Sequence, residues 1–421
     1  MTRRRAYALV VAACALPRLA LLLHERGAVL SDVEKSSILA RVFIKTGTFG
    51  YVPGEPSAYT QPLYGWFLIA VYWIGGVHWW SLGTAQILVA LGTALVVYET
   101  GRRFLSSRAG LVAALIATLQ PYLVWHDIHG NREILDQLLG ASMFLLALLA
   151  GSRRSLAVVS ALGAVTGLAI LSNTRLLLLP FVLGGYLLWR RLGWTAALAV
   201  PVLAAIVLAP WVVRNKIEVG CWAITTDARA LWKANNPYTY ETLRSGGWID
   251  QVSDKHDIPE RSVDPVPGRW RTPQEAGDIY VENHVKIDVP ECAQQAHYEH
   301  LVFQYWKHHP GAKVKLAAQA TRMLWSPTVG VESASGGTLR TWVEPLYAVP
   351  LFLLALAGLF LVSAQLRALA LIFAVYETAA AWVFAGTTRY RVPWDFVLAL
   401  LAAAALERVW SRLPFRRRST K

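Results

Sequence analysis

Several ionisable side chains fall where a reaction at a membrane surface would need them. Asp32 and Glu34 stand in Ser31-Asp32-Val33-Glu34, shortly after the first apolar run, and Glu133 follows His126-Asp127-Ile128-His129-Gly130-Asn131-Arg132 after a later one. Ionisable groups at headgroup depth are costly, so each needs a reason. Carboxylates on separate outer loops could converge over one cavity and take a proton from an acceptor hydroxyl or amine as general base; the plainer reading is acids that face water. Arg132 and Asp136, four apart, suit a helix-end pair. Arg175, Arg214, Arg389 and Arg391 sit at the outer ends of apolar runs. Guanidinium groups clustered there suit a phosphate through forked hydrogen bonds; the alternative is snorkelling to lipid headgroups. His126, Asp127 and His129 are metal-ligand types, but their spacing in a loop is weak evidence for a metal. Glu99 and Glu377 lie in or near apolar runs, where they mark either a proton path or hydrogen bonds inside a bundle.

The elements that must position these groups are membrane helices. The chain has 421 residues, is 55% hydrophobic and only 16% charged, with mean hydropathy +0.38; a soluble domain carries about a quarter charged residues. The formal charge of +14 sits mostly in short segments between apolar runs, the pattern of membrane orientation and not of nucleic-acid binding. Runs long enough to cross a bilayer, about 20 residues each, are 6–24, 79–100, 109–125, 133–150, 155–172, 175–189, 194–213, 343–363, 366–385 and 392–410. Arg3-Arg4-Arg5 resembles the start of a signal peptide, but without a good cleavage site and running into His24-Glu25-Arg26 it reads as a retained first helix. Pro62–Gly76 is apolar but short. Counted as non-crossing, it puts Arg3–Arg5, Arg102, Arg103, Arg108, Arg153, Arg154, Arg190, Arg191, Arg367 and the basic C-terminus on the inside, as the positive-inside rule asks. It is therefore expected as an interfacial or re-entrant helix. The fold class is an all-α polytopic membrane protein with about ten transmembrane helices, both termini cytoplasmic, in the plasma (inner) membrane.

Two outer segments complete the layout. In residues 25–78, Ile38, Leu39, Val42 and Phe43 form a stripe at helical spacing, which predicts a short amphipathic helix on the membrane. Residues 214–342 hold more than half of the chain's 27 acidic residues and form one large solvated loop. Within it, residues 295–325 look helical, with Val302, Phe303, Trp306, Val314 and Leu316 among His and Lys, and predict a second surface-lying helix. The organisation is thus a transmembrane module over 1–213, a loop over 214–342, and C-terminal helices with a basic tail over 343–421. Cys221 and Cys292 both fall in the loop and could pair in an oxidising compartment or stand as two free thiols; Cys14 is packing.

With these segments placed, the chain resembles the polytopic GT-C glycosyltransferases, and most the branch holding protein O-mannosyltransferases and the lipid A aminoarabinose transferase. Asp32-Val33-Glu34 with Ala40, Gly47-Thr48-Phe49 and Gln61-Pro62-Leu63-Tyr64 is similar to that family's first outer loop. Gly130-Asn131-Arg132-Glu133 resembles its second, Pro210-Trp211-Val212-Val213-Arg214-Asn215 its Pro-Trp-x-x-Arg-Asn signature, and Arg389-Tyr390-Arg391-Val392-Pro393 its late Arg-Tyr-Arg-x-Pro entry. Residues 214–342 carry no family pattern beyond Asn235-Asn236-Pro237. The resemblance implies a sugar donor on a polyprenyl phosphate, an extracytoplasmic acceptor, and transfer with inversion. Asp32 matches the catalytic acid, acting as base. Glu133 would orient acceptor or sugar. Arg214, Arg389, Arg391 and Arg175 would meet the phosphate, and Glu34, Tyr64, Asp127, Asn215 and Tyr390 would position sugar or acceptor. No obligatory metal is expected. Against this stand a lipid-linked sugar flippase or transporter, which would more often show inverted repeats or broken helices, and a non-catalytic envelope-assembly scaffold, which would lack a cavity joining Asp32 to the late arginines.

Overall fold

The computed structural model describes residues 2–30, 35–252, 290–328 and 337–412; Asp32 and Glu34 lie outside them. Among the described residues the chain is helical, without a β-strand. We number the helices α1 (Arg3–His24), α2 (Lys35–Thr46), α3 (Pro62–Gly75), α4 (Trp79–Phe104), α5 (Ser107–Thr118), α6 (Pro121–His126), α7 (Glu133–Arg153), α8 (Leu156–Ser172), α9 (Leu179–Trp189) and α10 (Trp194–Glu218). The large loop carries α11 (Ala228–Lys233), α12 (Thr239–Arg244), α13 (Glu291–His308) and α14 (Pro310–Leu324). The C-terminal part holds α15 (Gly337–Leu359), α16 (Ala364–Val383), the short α17 (Thr388–Arg391) and α18 (Asp395–Arg412).

Six helices among the described residues are long and apolar enough to cross a membrane: α1, α4, α7, α10, the Trp342–Leu359 part of α15, and α16. Pro62–Gly75, Ser107–Thr118, Leu156–Ser172 and Thr174–Trp189 are apolar but shorter. The sequence expectation of about ten spans thus has six that qualify on length and composition. The expected run 109–125 is two helices, because Pro121 cannot donate to the preceding turn and starts a new one. The freed end is capped by Gln120, whose side-chain oxygen accepts the Leu123 N–H at 2.8 Å while its amide donates to Glu344 at 2.7 Å.

Small residues let the helices close on one another. A Cβ on Gly101 of α4 would sit 2.5 Å from the Gly110 Cα of α5, so that crossing admits only glycine. The bundle interior also holds a buried ion pair: Arg18 of α1 reaches Asp127 through Nη2 at 2.7 Å and Nε at 2.9 Å, and Gln137 donates to the other carboxylate oxygen at 3.2 Å. At one end Glu99 accepts from Arg102 at 2.6 Å, from Arg103 at 3.0 Å and from the Tyr7 hydroxyl. The opposite end carries the loops that hold Glu133 and Arg389.

Two outer elements depart from the sequence reading. The α2 stripe packs on α3: Ile38, Leu39 and Val42 are buried and the Phe43 ring lies 5.1 Å from that of Trp66. The expected single helix over 295–325 is broken between His308 and Pro310. Val302 and Leu316 pack with Ala228 and Trp232 of α11, while Phe303 and Val314 stay exposed. Cys221 and Cys292 form a disulfide. It lies beside Glu291, whose carboxylate accepts the Ala58 N–H at 2.9 Å and the Thr226 hydroxyl at 2.8 Å, tying the large loop to the first outer loop. A second tie joins the loop to the end of α16: Asn235 donates to the Val383 carbonyl at 2.8 Å and accepts from Trp306 Nε1 at 3.0 Å and from Lys313. Burial there pushes the Lys313 ammonium down to about 8.

Candidate active site

Glu133 opens α7, where the helix dipole favours a negative charge. Its carboxylate is nearly buried and is gripped by Arg389 from α17: Nε donates to Oε1 at 2.7 Å and Nη2 to Oε2 at 3.0 Å. This is the two-pronged arginine–carboxylate geometry, the strongest common form of the pair. Burial works against the charge on Arg389, but Glu133 beside it more than offsets this and holds the guanidinium protonated well above its usual range. The turn before α7 is fixed by Tyr64, which accepts the Asn131 N–H at 2.9 Å and donates to Gln86 at 2.7 Å. Asn131 in turn accepts the Glu133 N–H at 3.1 Å.

Arg132 extends the cluster sideways. Its Nε lies 3.5 Å from Glu133 Oε1, and its Nη1 donates to Gln61 Oε1 at 2.6 Å. The Gln61 amide donates to Asp227 at 3.3 Å and to the Thr174 hydroxyl at 3.4 Å, and Asp227 also accepts from Thr225 at 2.8 Å. Gln61 thus joins the start of α3, the start of α7, the turn after α8 and the large loop in one polar wall. Neither Gln61 nor Asp227 carried an assigned role in the sequence reading. Gln61 sits in one of the quoted motifs; nothing local marks Asp227.

Arg175 faces the same region under different constraints. It lies in the one-turn helix Thr174–Leu176, capped by Asn173, which accepts the Arg175 N–H at 3.2 Å and donates to Asp136 at 2.9 Å. Its guanidinium is stacked 3.4 Å from the centre of the Tyr390 ring, with Phe384 at 5.2 Å. Among the described residues it has no carboxylate partner and no side-chain hydrogen bond. Stacking holds the plane and leaves the N–H edge open, an arrangement suited to a phosphate oxygen.

The other expected site residues are placed elsewhere. Arg214 donates to the Ser57 carbonyl at 2.8 Å, the Phe49 carbonyl at 2.9 Å and Asn215 at 2.9 Å and pairs with Glu218 at 2.5 Å, so it braces the first outer loop. Asn215 is buried and donates to the Ala223 carbonyl at 2.8 Å, closing the turn after α10. Arg391 points into the bundle to Asp395 at 3.2 Å and the Ser326 carbonyl at 2.6 Å. Asp127 is the counter-ion of Arg18, and Tyr64 is a buried strut; neither faces the cluster as a ligand-positioning group. The structure therefore brings together Glu133, Arg389, Arg175 and Tyr390, and places Arg214, Arg391, Tyr64, Asp127 and Asn215 in contacts of their own outside that group. His129 lies 3.1 Å from Glu25 and His126 stacks on Tyr122. Among the described residues no group of three or more His, Cys, Asp or Glu is disposed to hold a metal ion.

Residues 55–213, the segment that supplies Gln61, Glu133 and Arg175, match the family model of the dolichyl-phosphate-mannose-protein mannosyltransferases. No curated protein matches the sequence. The chain is similar in structure to the oligosaccharyltransferase AglB from Archaeoglobus fulgidus in complex with an inhibitory peptide and a dolichol-phosphate, with a TM-score of 0.54 and 15% identity over 96% of this chain and 50% of that one. The apo form of the Archaeoglobus fulgidus oligosaccharyltransferase gives 0.53 and 14%, over 98% and 51%. The fold is of the GT-C type. ArnT from Cupriavidus metallidurans bound to undecaprenyl phosphate is matched at 0.43 and 16%, over 95% and 79%. This chain spans about half the length of the oligosaccharyltransferase, 50%, so the GT-C likeness is one of fold.

The fork is open to a stability test. Glu133→Gln keeps the volume but leaves Arg389 without its counter-charge. Removing one partner of a fully buried pair costs roughly 3–5 kcal/mol; because the Arg389 side chain keeps 31% exposure, the expected loss is smaller, about 2 kcal/mol. Unfolding by denaturant in one detergent, compared with wild type, reads it directly; an unchanged midpoint would refute the pair as a support.

Proposed function

We propose that this GT-C protein is a membrane glycosyltransferase that moves a hexose or pentose from a polyprenyl-phosphate donor to an acceptor on the side of the membrane that carries Glu133 and Arg389. The observation that carries the reading is Arg175: a guanidinium stacked on Tyr390 with open donors, beside the Glu133–Arg389 fork. Among the described residues no carboxylate ion-pairs with it, although Glu377 and Glu133 act on it electrostatically, and a cation so placed at that depth is expensive unless something anionic visits it. The match of residues 55–213 to mannosyltransferases of lipid-linked sugars supports a donor of that chemistry.

An acceptor hydroxyl or amine attacks the anomeric carbon and Asp32 takes its proton. The bond from that carbon to the phosphate oxygen breaks, and the polyprenyl phosphate leaves with the electron pair. Attack opposite the leaving group inverts the configuration. The leaving group is already charged, so it needs cations more than a proton donor; Arg175 meets the developing charge, and Arg389, held by Glu133, supports the same wall. The lipid tail lies in the bilayer, and the loop 214–342 shapes acceptor choice. The active site faces away from the cytoplasm, in the plasma membrane.

Purified full-length chain in detergent with labelled polyprenyl-phosphate sugars tests this. Polyprenyl phosphate should be released from at least one hexose or pentose donor when a membrane extract supplies acceptors. Intact donor throughout the panel, with transfer only from a nucleotide sugar, would reject the reading.

A further inference from the structure

We propose that α14 is a docking surface for anionic lipid headgroups, set against the outer wall of the site. The helix has one packed face and one bare one. Leu316, Ala320 and Leu324 are buried, whereas Val314, Lys315, Ala318 and Arg322 are exposed on the opposite side. The sequence of α14, PGAKVKLAAQATRML, contains cations and no acid, although the loop around it is acidic overall. The bare face thus joins two cations to apolar contacts, the composition of an interfacial helix on an anionic surface.

Its depth is fixed by hydrogen bonds to a helix long and apolar enough to span. Trp382 Nε1 of α16 donates to the Thr321 hydroxyl at 2.7 Å, and Trp325 Nε1 donates to Thr378 at 3.0 Å. Both partners on α16 belong to its last two turns, so α14 lies beside the end of that helix, at headgroup level. A cationic face there meets lipid phosphate before any soluble partner. The end of the helix and the segment just after it also touch the site's frame: Arg391 donates to the Leu324 carbonyl at 3.4 Å and to the Ser326 carbonyl at 2.6 Å, and Thr388 donates to the Thr328 carbonyl at 2.7 Å, on either side of Arg389. Lipid bound to α14 is therefore mechanically linked to the segment that carries Arg389 and Tyr390. The inference does not depend on the transfer reaction.

Direct lipid binding tests it, without an activity readout. Full-length chain in neutral detergent is titrated with phosphatidylglycerol or phosphatidylcholine, and retained lipid is counted by native mass spectrometry. Each cation near an anionic surface contributes about fivefold in affinity. Lys315→Glu with Arg322→Glu should cost at least about twentyfold for phosphatidylglycerol and leave phosphatidylcholine unchanged. Both residues are exposed, so the melting temperature should hold. Arg244→Glu, at an exposed site elsewhere on the loop, should leave the preference intact. Equal loss in that control, equal binding of the two lipids by wild type, or displacement by millimolar inorganic phosphate would each overturn the proposal. So would a co-purifying protein that is lost on reversal while the lipid count stays the same.

Discussion

Arg175→Ala lowers the rate of polyprenyl-phosphate release by about 100-fold, the size of effect seen when one preorganised donor to a developing oxyanion is removed. The residue makes no carboxylate contact in the described structure, so its charge is available to a ligand; the stack on Tyr390 at 3.4 Å keeps it from collapsing onto Glu133. Because the phosphate is charged both before and after transfer, part of the loss should appear as weaker donor binding. Retention of labelled polyprenyl phosphate should fall with the rate. Arg175→Lys restores the charge but neither the flat stack nor the fork, so it should recover only about tenfold. Arg391→Lys provides the contrast: Arg391 is buried among Asp395 and backbone carbonyls, so its variant should change stability and not the affinity for the phosphate. Wild-type retention by Arg175→Ala would move the phosphate site elsewhere.

Which arginine is open was partly written in local spacing. Arg214 has Glu218 four residues on, Arg391 has Asp395 four residues on, and both pairs close in the structure. Arg175 has leucines or serine at three and four residues to either side, so no local acid can claim it. The i, i+4 rule, applied to each arginine in turn, separates the braces from the open cation; grouped by side of the membrane, all four look alike. Arg389 also lacks a local acid, and its partner Glu133 is 256 residues away, beyond any spacing argument. The same holds for Asp127 and Arg18, and for Asp227, which reaches the cluster only through Gln61 and the packing of the large loop. The breaks at Pro121 and Pro310 were legible from proline alone, but continuous apolar composition around Pro121, and apolar residues recurring at helical spacing on both sides of Pro310, made each pair of helices read as one. The apolar runs themselves were the easiest feature, because hydropathy reports on every residue of a span, whereas a polar contact depends on two residues that folding brings together.

Asp32→Asn should reduce transfer by about 10²–10⁴-fold while leaving polyprenyl-phosphate retention at the wild-type level. The residue is assigned by its place in Ser31-Asp32-Val33-Glu34 and by the family resemblance, and it stands outside the described residues, so its test must separate a base from a binding group. A base acts on the acceptor proton and contributes only as the new bond forms; the amide removes that action with little change in size. The loss should therefore fall on kcat, with the donor KM nearly unchanged, whereas Arg175→Ala should lose both rate and donor affinity. Glu34→Gln, two residues on, separates a specific base from a general need for acidity in this loop: as a positioning residue it should lose far less rate than Asp32→Asn, with its loss in acceptor KM. If Asp32 and Arg175 act at opposite ends of one displacement, the acceptor proton and the leaving phosphate, then the donor affinity of the double variant equals that of Arg175→Ala alone, and its rate falls below either single variant. A double variant no slower than Asp32→Asn would mean that the two residues support one function, and the assignment of base and phosphate site to separate groups would have to be abandoned.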